Sequence, residues 1–159
     1  MHGRIQTNCY PLRVRQSAIA MGKVYEIIDH TADIGLRVFG ADPAELFRNA
    51  ASALTDVITD RRKVMATESR KLAVTGIDWP DLMVNWLREL LYLWSGDDLL
   101  VASVEMEQIR MQKIVAVVSV EPYRPERHRI RNEIKAVTYH QIEVCESLTG
   151  WKAKIILDV

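Results

Sequence analysis

The sequence predicts an α+β fold, in which two amphipathic helices pack on a mixed β-sheet of about seven strands to form a two-layer sandwich. Apolar residues recur at three- and four-residue spacing in two segments, which indicates the helices. Short segments rich in β-branched and aromatic residues lie before, between and after them. The resulting order, β-β-α-β-α-β-β-β-β, is neither a regular βαβ alternation nor all-β.

The first two strands are predicted over residues 24–28 and 34–40, and we expect them to pair. The first helix begins at Asp42, which can cap it, and Pro43 suits the first helical position. Glu45 stands where a capping box carries an acid. The apolar stripe of this helix consists of Leu46, Phe47, Ala50, Leu54, Val57 and Ile58.

A third strand is predicted over residues 67–76, and a second helix opens at residues 78–81 and stops at residues 95–98. The buried stripe of this helix consists of Met83, Leu87, Leu90, Leu91 and Trp94. The remaining strands are predicted over residues 99–107, 113–120, 134–144 and 151–157. A charged loop over residues 121–133 separates the second and third of these.

Composition limits the class of protein. The chain has 159 residues, of which 48% are apolar and 26% charged, as is typical of one globular domain. The formal net charge is zero, so no overall field draws the protein to nucleic acid or to an anionic membrane. No apolar run reaches the roughly 18 residues that suggest a membrane helix.

Two further expectations concern processing and compartment. Residues 1–22 contain three arginines and no acid, and we expect a disordered leader or an upstream-start extension there, with residues 23–159 as a single domain. Only two cysteines occur, Cys9 and Cys145, so no disulfide framework is expected and a reducing cytoplasm is favoured.

Acidic groups near the two ends of the domain are the sharpest candidate for a site. Asp33 begins a predicted strand, and Asp158 ends another on the face opposite Ile155 and Leu157. If these strands are neighbours in matching register, both carboxylates and the terminal carboxylate of Val159 would offer oxygen ligands to a hard divalent cation. From spacing alone, a turn residue and a solvated end residue explain the two aspartates better.

Three other polar side chains have simple explanations. His30 could be a ligand or a base, but a turn histidine bonded to a backbone carbonyl explains it better. His140 alternates with Ile134 and Ala136, which favours a buried histidine satisfied by its neighbours. Lys135 lies on the opposite face of that strand and is expected to be solvated.

A basic cluster follows the fifth predicted strand. It could contact RNA phosphates, but a solvated hairpin loop explains it equally well, since no aromatic ladder accompanies it. Its members are Arg124, Arg127, His128, Arg129, Arg131 and Lys135. The sequence contains no phosphate-binding glycine loop, no paired CxxC, no HExxH and no GxSxG, so it offers no self-contained nucleotide site or catalytic triad.

Several segments together resemble the archease family. They are DHTADIG, LMVNWLRELLY, PERH, IKAVTYH and the ending ILDV, at residues 29–35, 82–92, 125–128, 134–140 and 156–159. They occur in the family's order over residues 23–159. The resemblance implies a small α+β protein that is a cofactor of an enzyme and not itself an enzyme.

That enzyme is the GTP-dependent RtcB-type RNA ligase. It joins RNA ends carrying a 2′,3′-cyclic phosphate or a 3′-phosphate to 5′-hydroxyl ends, through a guanylylated ligase histidine, an RNA 3′-end guanylylate and a divalent metal. Archeases speed guanylylation and sustain multiple turnover. The partners implied are the ligase and, through it, a spliced tRNA or a broken RNA under repair, in the cytoplasm and without a membrane.

The resemblance also implies site residues. The family's metal-binding acids correspond to Asp33 and Asp158, with Val159 at the same site and Ca, Mg or Mn as the ion. The family's functionally sensitive lysine corresponds to Lys135, and His30 is adjacent to the site in sequence. Candidates for contact with RNA or a partner are Arg127 and Arg129.

Two other functions stay open. A metal-dependent RNA phosphohydrolase predicts turnover by the protein alone, although the small ligand set and the lack of a general base disfavour it. An RNA chaperone or modulator of tRNA-modifying enzymes, binding through residues 124–135, predicts salt-sensitive RNA affinity without a ligase. The near-neutral net charge disfavours this second function.

Overall fold

The computed structural model describes residues 24–29 and 32–159, and its elements follow the predicted order. The helices are α1 (Pro43–Ile58) and α2 (Trp79–Asp97), with a short 3-10 helix at Arg61–Lys63. The strands are β1 (Tyr25–Asp29), β2 (Asp33–Gly40), β3 (Glu68–Thr75), β4 (Leu99–Arg110), β5 (Lys113–Pro122), β6 (Ala136–Ser147) and β7 (Gly150–Asp158). The predictions for residues 1–22 and for His30 fall outside the described residues.

The strands divide into two antiparallel sheets, one in the order β1-β2-β7-β6 and the other in the order β3-β5-β4. Tight turns at residues 111–112 and 148–149 account for two of the antiparallel pairs, β4 with β5 and β6 with β7. The α+β class, the seven strands and the two helices are confirmed for the described residues. Two antiparallel sheets replace the single mixed sheet expected, because β3, the strand after α1, joins a second sheet and does not pair with β2.

Both helices contact both sheets. Helix α1 packs on β2 and β7 of the four-stranded sheet and on β4 of the other, while α2 packs on β6 and on β3, β4 and β5. Their apolar faces share one core with the inward faces of the strands. The largest buried side chains there are those of Trp86 and Phe47, and the Trp86 indole N–H donates to the Phe47 carbonyl at 3.1 Å. The core therefore contains this polar group without leaving it unsatisfied.

The two helices begin in the same way. The N-cap side chains of Asp42 and Asp78 each accept a hydrogen bond from the backbone N–H three residues later, at 2.8 and 2.9 Å. The acids at those later positions, Glu45 and Asp81, each accept from the N–H just before the cap, both at 2.9 Å. The predicted cap and acid of α1 are thus confirmed, and α2 repeats them.

The likeness between the helix starts extends further along the chain. Asn49 donates to the carbonyl of Phe39 at 2.7 Å, and Asn85 donates to the carbonyl of Thr75 at 3.0 Å. Both segments, residues 40–49 and 76–85, have the pattern Gly-x-Asp-x-x-acid-Leu-x-x-Asn. The chain therefore uses one strand-to-helix unit twice.

Helix α2 ends within the predicted residues 95–98, and β6 is irregular. Asp98 adopts a left-handed conformation with φ of 53°, and its N–H reaches back to the last turn, so α2 continues to residue 97. In β6 the register shifts between Thr138 and Glu143, and Gln141 has φ of 53°. Val137 lies opposite the wholly buried Leu157, so Ala136 and Thr138 have the outward parity. His140, which follows them in alternation, is exposed, and the prediction of a buried His140 is wrong.

Two further observations concern Cys145 and the helices. Cys145 is disulfide-bonded, and the expectation of a reducing cytoplasm stays a prediction. Within the described residues, neither helix has the length and apolar character that a membrane crossing requires.

The close approach of strand and helix at Gly76 predicts a stability difference. A Cβ at Gly76 would stand 2.6 Å from the backbone nitrogen of Leu82, whereas a Cβ at Gly96 would stand 3.0 Å from the ring of the exposed Tyr92. We expect Gly76→Ala to lower the free energy of unfolding by about 1–3 kcal/mol, because backbone must move. Gly96→Ala, inside α2, should leave it unchanged or raise it. Urea unfolding of both variants measures the difference, and equal stabilities would contradict this account.

Candidate functional site

The pairing of β2 with β7 places Asp33 directly opposite Asp158. Along this pair, Leu36 lies opposite Ile155, both wholly buried, so these positions face the core. The aspartates have the other parity and project from the outward face of the sheet. Directly opposite residues have Cβ atoms roughly 4.5–5.5 Å apart. The condition set by the sequence, neighbouring strands in matching register, is therefore met.

Lys135 lies just before β6 and next to Asp158 at this end of the sheet. Ala136, the first residue of β6, lies opposite Asp158 on the other side of β7. The N–H of Lys135 donates to the main-chain carbonyl of Asp158 at 2.8 Å, and the lysine is exposed. We call Asp33, Asp158 and Lys135 the sheet-end cluster. The strand register and this main-chain bond place Asp33, Asp158 and the backbone of Lys135 at one end of the sheet.

The sheet-end cluster differs in charge pairing from the rest of the outward face. In the register of the sheet, Glu26, Arg37, Lys154 and Glu143 stand in one row across the four strands, so the two bases face each other and each also faces a carboxylate. Each of these carboxylates thus faces a base across the strands, which stabilises the sheet. Asp33 and Asp158 face each other instead, and two carboxylates directly opposite destabilise a sheet. The arrangement favours a bound positive charge at this end.

Val159 follows the cluster and has the parity of the inward residues. It is half-buried and packs against the core. In the part of the chain that the structure describes, no group of three or more His, Cys, Asp or Glu side chains is placed to hold a metal ion. The predicted metal site therefore has two side-chain carboxylates within the described residues, and metal binding stays a prediction.

The basic loop is built around a buried carboxylate, that of Glu121, which is 1% exposed. The Arg127 guanidinium pairs with one of its oxygens. The other oxygen accepts from the N–H of Met65 at 2.7 Å and lies 3.0 Å from Nε2 of His128. His128 is itself 1% exposed, so the expectation of a solvated loop is wrong at this residue, whereas Arg127 is exposed. We call this group the Glu121 anchor, comprising Glu121, Arg127, His128 and the N–H of Met65.

The hydrogen bonds fix the state of the buried histidine. Nδ1 of His128 accepts from the N–H of Arg124 at 3.0 Å, so the proton of the neutral ring lies on Nε2, which donates to Glu121. Burial, and after it the positive charge of Arg127, lowers the pKa of His128 below its ordinary value of 6.5. Alternation along the strand had indicated His140 as the core histidine, whereas His128 occupies that role.

The rest of the loop caps the C-terminal end of α1, whose last turn contains no basic residue. The N–H of Arg131 donates to the carbonyl of Ile58 at 2.7 Å, and the Asn132 side chain donates to the carbonyl of Val57 at 2.8 Å. These bonds satisfy helix carbonyls that would otherwise lack partners. Part of the loop's polar composition therefore serves the fold.

The two arginines proposed as contacts for RNA or a partner differ. Arg127 is held by Glu121, and its Nη1 also lies 3.3 Å from Sδ of Met65. Arg129 is exposed, and its carbonyl accepts from the Thr59 hydroxyl at 2.8 Å. The role of either arginine in binding a partner stays a prediction.

Side chains from α2 hold the start of β6. The Arg88 guanidinium lies 4.7 Å from the centroid of the Tyr139 ring, and its Nε donates to the carbonyl of Val137 at 3.2 Å. The Tyr139 hydroxyl donates to Asp81 at 2.6 Å, which lowers the pKa of Asp81 and raises that of Tyr139. Sequence reasoning missed Arg88 and Asp81, because their partners are distant in the chain. It missed Glu121 because the local pattern does not show that this carboxylate is buried.

Comparisons with known proteins agree with the resemblance. The model of the Archease protein family (MTH1598/TM1083) matches residues 25–159. Protein archease of Methanosarcina acetivorans is 42% identical over 144 residues, which are 88% of this chain and 99% of that protein. Protein archease of Methanosarcina mazei is 41% identical over the same shares of both chains.

Two solved structures are also similar. The solution structure of Methanobacterium thermoautotrophicum protein 1598 has a TM-score of 0.71 and 33% identity, covering 86% of this chain and 99% of that one. A crystal structure from Thermotoga maritima, described as an archease and possible chaperone, has a TM-score of 0.58 and 19% identity, covering 84% and 96%. The second likeness supports the fold alone.

The neutral buried His128 predicts how stability depends on pH. The unfolded chain takes up a proton near pH 6.5, whereas folded His128 does so only at lower pH. The free energy of unfolding should therefore fall as pH decreases below about 6.5, by at most about 1.4 kcal/mol per pH unit from this group. His128→Gln keeps a donor toward Glu121 and should remove this part of the slope.

Urea unfolding between pH 5 and pH 8 measures this slope. His140→Gln is the matched control, because His140 is exposed, and this variant should keep the slope of the parent. A His128→Gln variant with the full parental slope would contradict the assignment of a neutral core histidine.

Proposed function

The chain belongs to the archease family, and we propose that it is a protein cofactor of an RtcB-type GTP-dependent RNA ligase. In this role it promotes guanylylation of the ligase and multiple turnover in tRNA splicing or RNA repair, and it catalyses no step itself. One observation carries the proposal: Asp33 and Asp158 stand opposite each other beside Lys135.

In this proposal the sheet-end cluster holds a divalent cation, Ca, Mg or Mn. Carboxylate oxygens are the ligands that such hard cations prefer, and a cation would relieve the repulsion between Asp33 and Asp158. Main-chain oxygens of Val159 and water would supply the remaining ligands. The bound cation would add positive charge at this end of the sheet.

The chain's own residues then present a fixed pattern of charge to the ligase. Asp33 and Asp158 project from neighbouring strands, and the main-chain bond from Lys135 to Asp158 sets the lysine beside them. The ammonium group of Lys135 acts as a point charge toward a phosphate or an acidic ligase residue. Since guanylyl transfer depends on where charge is placed around a phosphate, such a pattern can change its rate.

The two competing functions receive less support. The basic loop that an RNA chaperone would use has Arg127 and His128 committed to the buried Glu121. An RNA phosphohydrolase needs a general base, and His128 is not free to act as one, because both of its ring nitrogens are engaged. RNA affinity or hydrolysis by the protein alone would nevertheless be detected in the assays below.

Repulsion across the strands predicts that Asp33→Asn stabilises the protein in metal-free buffer. With EDTA at low salt, we expect the free energy of unfolding to rise by roughly 0.2–1 kcal/mol. Added Ca, Mg or Mn should raise the melting temperature of the parent but change that of the variant much less. Glu143→Gln on the same face is the control and should respond to the cation as the parent does. Equal responses of parent and Asp33→Asn would argue against a cation at this site.

The cofactor role predicts stimulation of ligation beyond one turnover. With the ligase limiting and RNA in excess, the parent protein should sustain product formation, because it restores guanylylated ligase. Asp33→Asn, Asp158→Asn and Lys135→Met should each reduce the rate after the first turnover by at least about tenfold. A ligation time course with each variant measures this.

Glu143→Gln, with its carboxylate on the same outward face, is again the matched control and should stimulate fully. If the parent stimulated no ligase shown to be active, the proposed function would be wrong. RNA binding or hydrolysis without the ligase would then support one of the competing functions.

A further inference from the structure

We propose that Glu121 is a positioning residue for Lys135, acting at a distance through the loop of residues 123–135. The inference rests on the proposed function, because Lys135 has a functional role only there. Glu121 belongs to β5 of the three-stranded sheet, whereas Lys135 lies beside β7 of the four-stranded sheet. The loop is the covalent connection between them.

The first step is that the Glu121 anchor fixes where the loop begins. Arg127 and His128 belong to the loop, and both pair with the Glu121 carboxylate, which is 2% exposed at its side chain. The N–H of Met65 ties the same carboxylate to the segment before β3. A buried carboxylate is tolerated only with such partners, and removing a partner from a buried pair is strongly destabilising. The anchor therefore has one favoured arrangement.

The second step is that the middle of the loop follows the C-terminal end of α1. Ile130 forms an isolated antiparallel bridge with Thr59, and the N–H of Arg131 donates to the carbonyl of Ile58. Arg131 also lies 3.8 Å from the carboxylate of Asp60. Loops of this length without regular structure are usually mobile or functional. Here the contacts with α1 hold the middle of the loop in place, between the Glu121 anchor and Lys135.

The third step is that main-chain contacts set the place of Lys135. Ile134, just before it, is 3% exposed and part of the core, and the N–H of Lys135 bonds to Asp158. Among the described residues, the Lys135 ammonium group has no ion-pair partner. The position of the ammonium group therefore depends on where the loop places the backbone of Lys135. Loosening the Glu121 anchor should therefore displace Lys135 without any direct contact with Asp33 or Asp158.

The test uses Glu121→Gln, which keeps the size of the side chain and removes its charge. Glu107→Gln is the matched control, since Glu107 is partly exposed and pairs with Lys71 at 3.1 Å on the three-stranded sheet. Amide hydrogen exchange by NMR reports the bond from Lys135 to Asp158 directly. We expect Lys135 exchange to be at least about tenfold faster in Glu121→Gln, while the amide of Val118 in β5 stays protected.

Ligation with the full-length protein at saturating concentration gives the functional readout. Glu121→Gln should lower maximal stimulation severalfold, and Glu107→Gln should not. A folded Glu121→Gln variant with unchanged exchange at Lys135 would overturn the proposal. So would faster exchange at Lys135 with full stimulation, because the anchor would then hold the lysine without functional effect.

If Glu121→Gln does not fold, Arg127→Met replaces it, since Arg127 is partly exposed and the other bonds of Glu121 remain. The same shift in exchange and in stimulation is expected, and its absence would overturn the proposal. Failure of the proposed function is recognised separately, because the unmodified protein would then stimulate no active ligase. In that case a role for Glu121 in ligation is also refuted, whatever the exchange at Lys135 shows.

Discussion

The antiparallel register between β2 and β7 is the constraint on which the sheet-end cluster depends. It runs without a break from Gly40 opposite Trp151 to Asp33 opposite Asp158. A slip by one residue would move the core-facing positions of one strand to solvent and turn one carboxylate inward. The hydrophobic core therefore fixes the geometry of two charged side chains that it does not touch. Stability and the proposed function are linked through one strand pair.

A second constraint is electrostatic, and it explains the composition of the basic loop. A carboxylate as buried as that of Glu121 needs donors, and Arg127 and His128 supply them. Further along, the loop provides donors to the end of α1. A run of basic residues that suggests nucleic-acid binding therefore serves, in part, to donate hydrogen bonds within the fold. The side chains of Arg124, Arg129 and Lys135 remain exposed.

Local sequence patterns correctly predicted the structural features that depend only on neighbouring residues. The N-cap at Asp42 follows from a few adjacent residues, and the outward parity of Asp158 follows from strand alternation. The division into two sheets was not predictable, because strand partners are chosen over long distances. His140 was misplaced because Ile134, which set the predicted alternation, lies before β6, and within β6 it is Val137 and not Ala136 that faces the core. Family resemblance, and not sequence spacing, was the basis for predicting that Asp33 and Asp158 belong to one site.

The repeated strand-to-helix unit allows one copy to serve as a reference for the other. In the first copy the acid is Glu45, and in the second it is Asp81. Both acids form the same hydrogen bond at the helix start, but Asp81 also accepts a hydrogen bond from the hydroxyl of Tyr139 in β6. The shared bonds show what the unit needs in order to fold. Through the additional bond, the second copy also holds β6, the strand that follows Lys135.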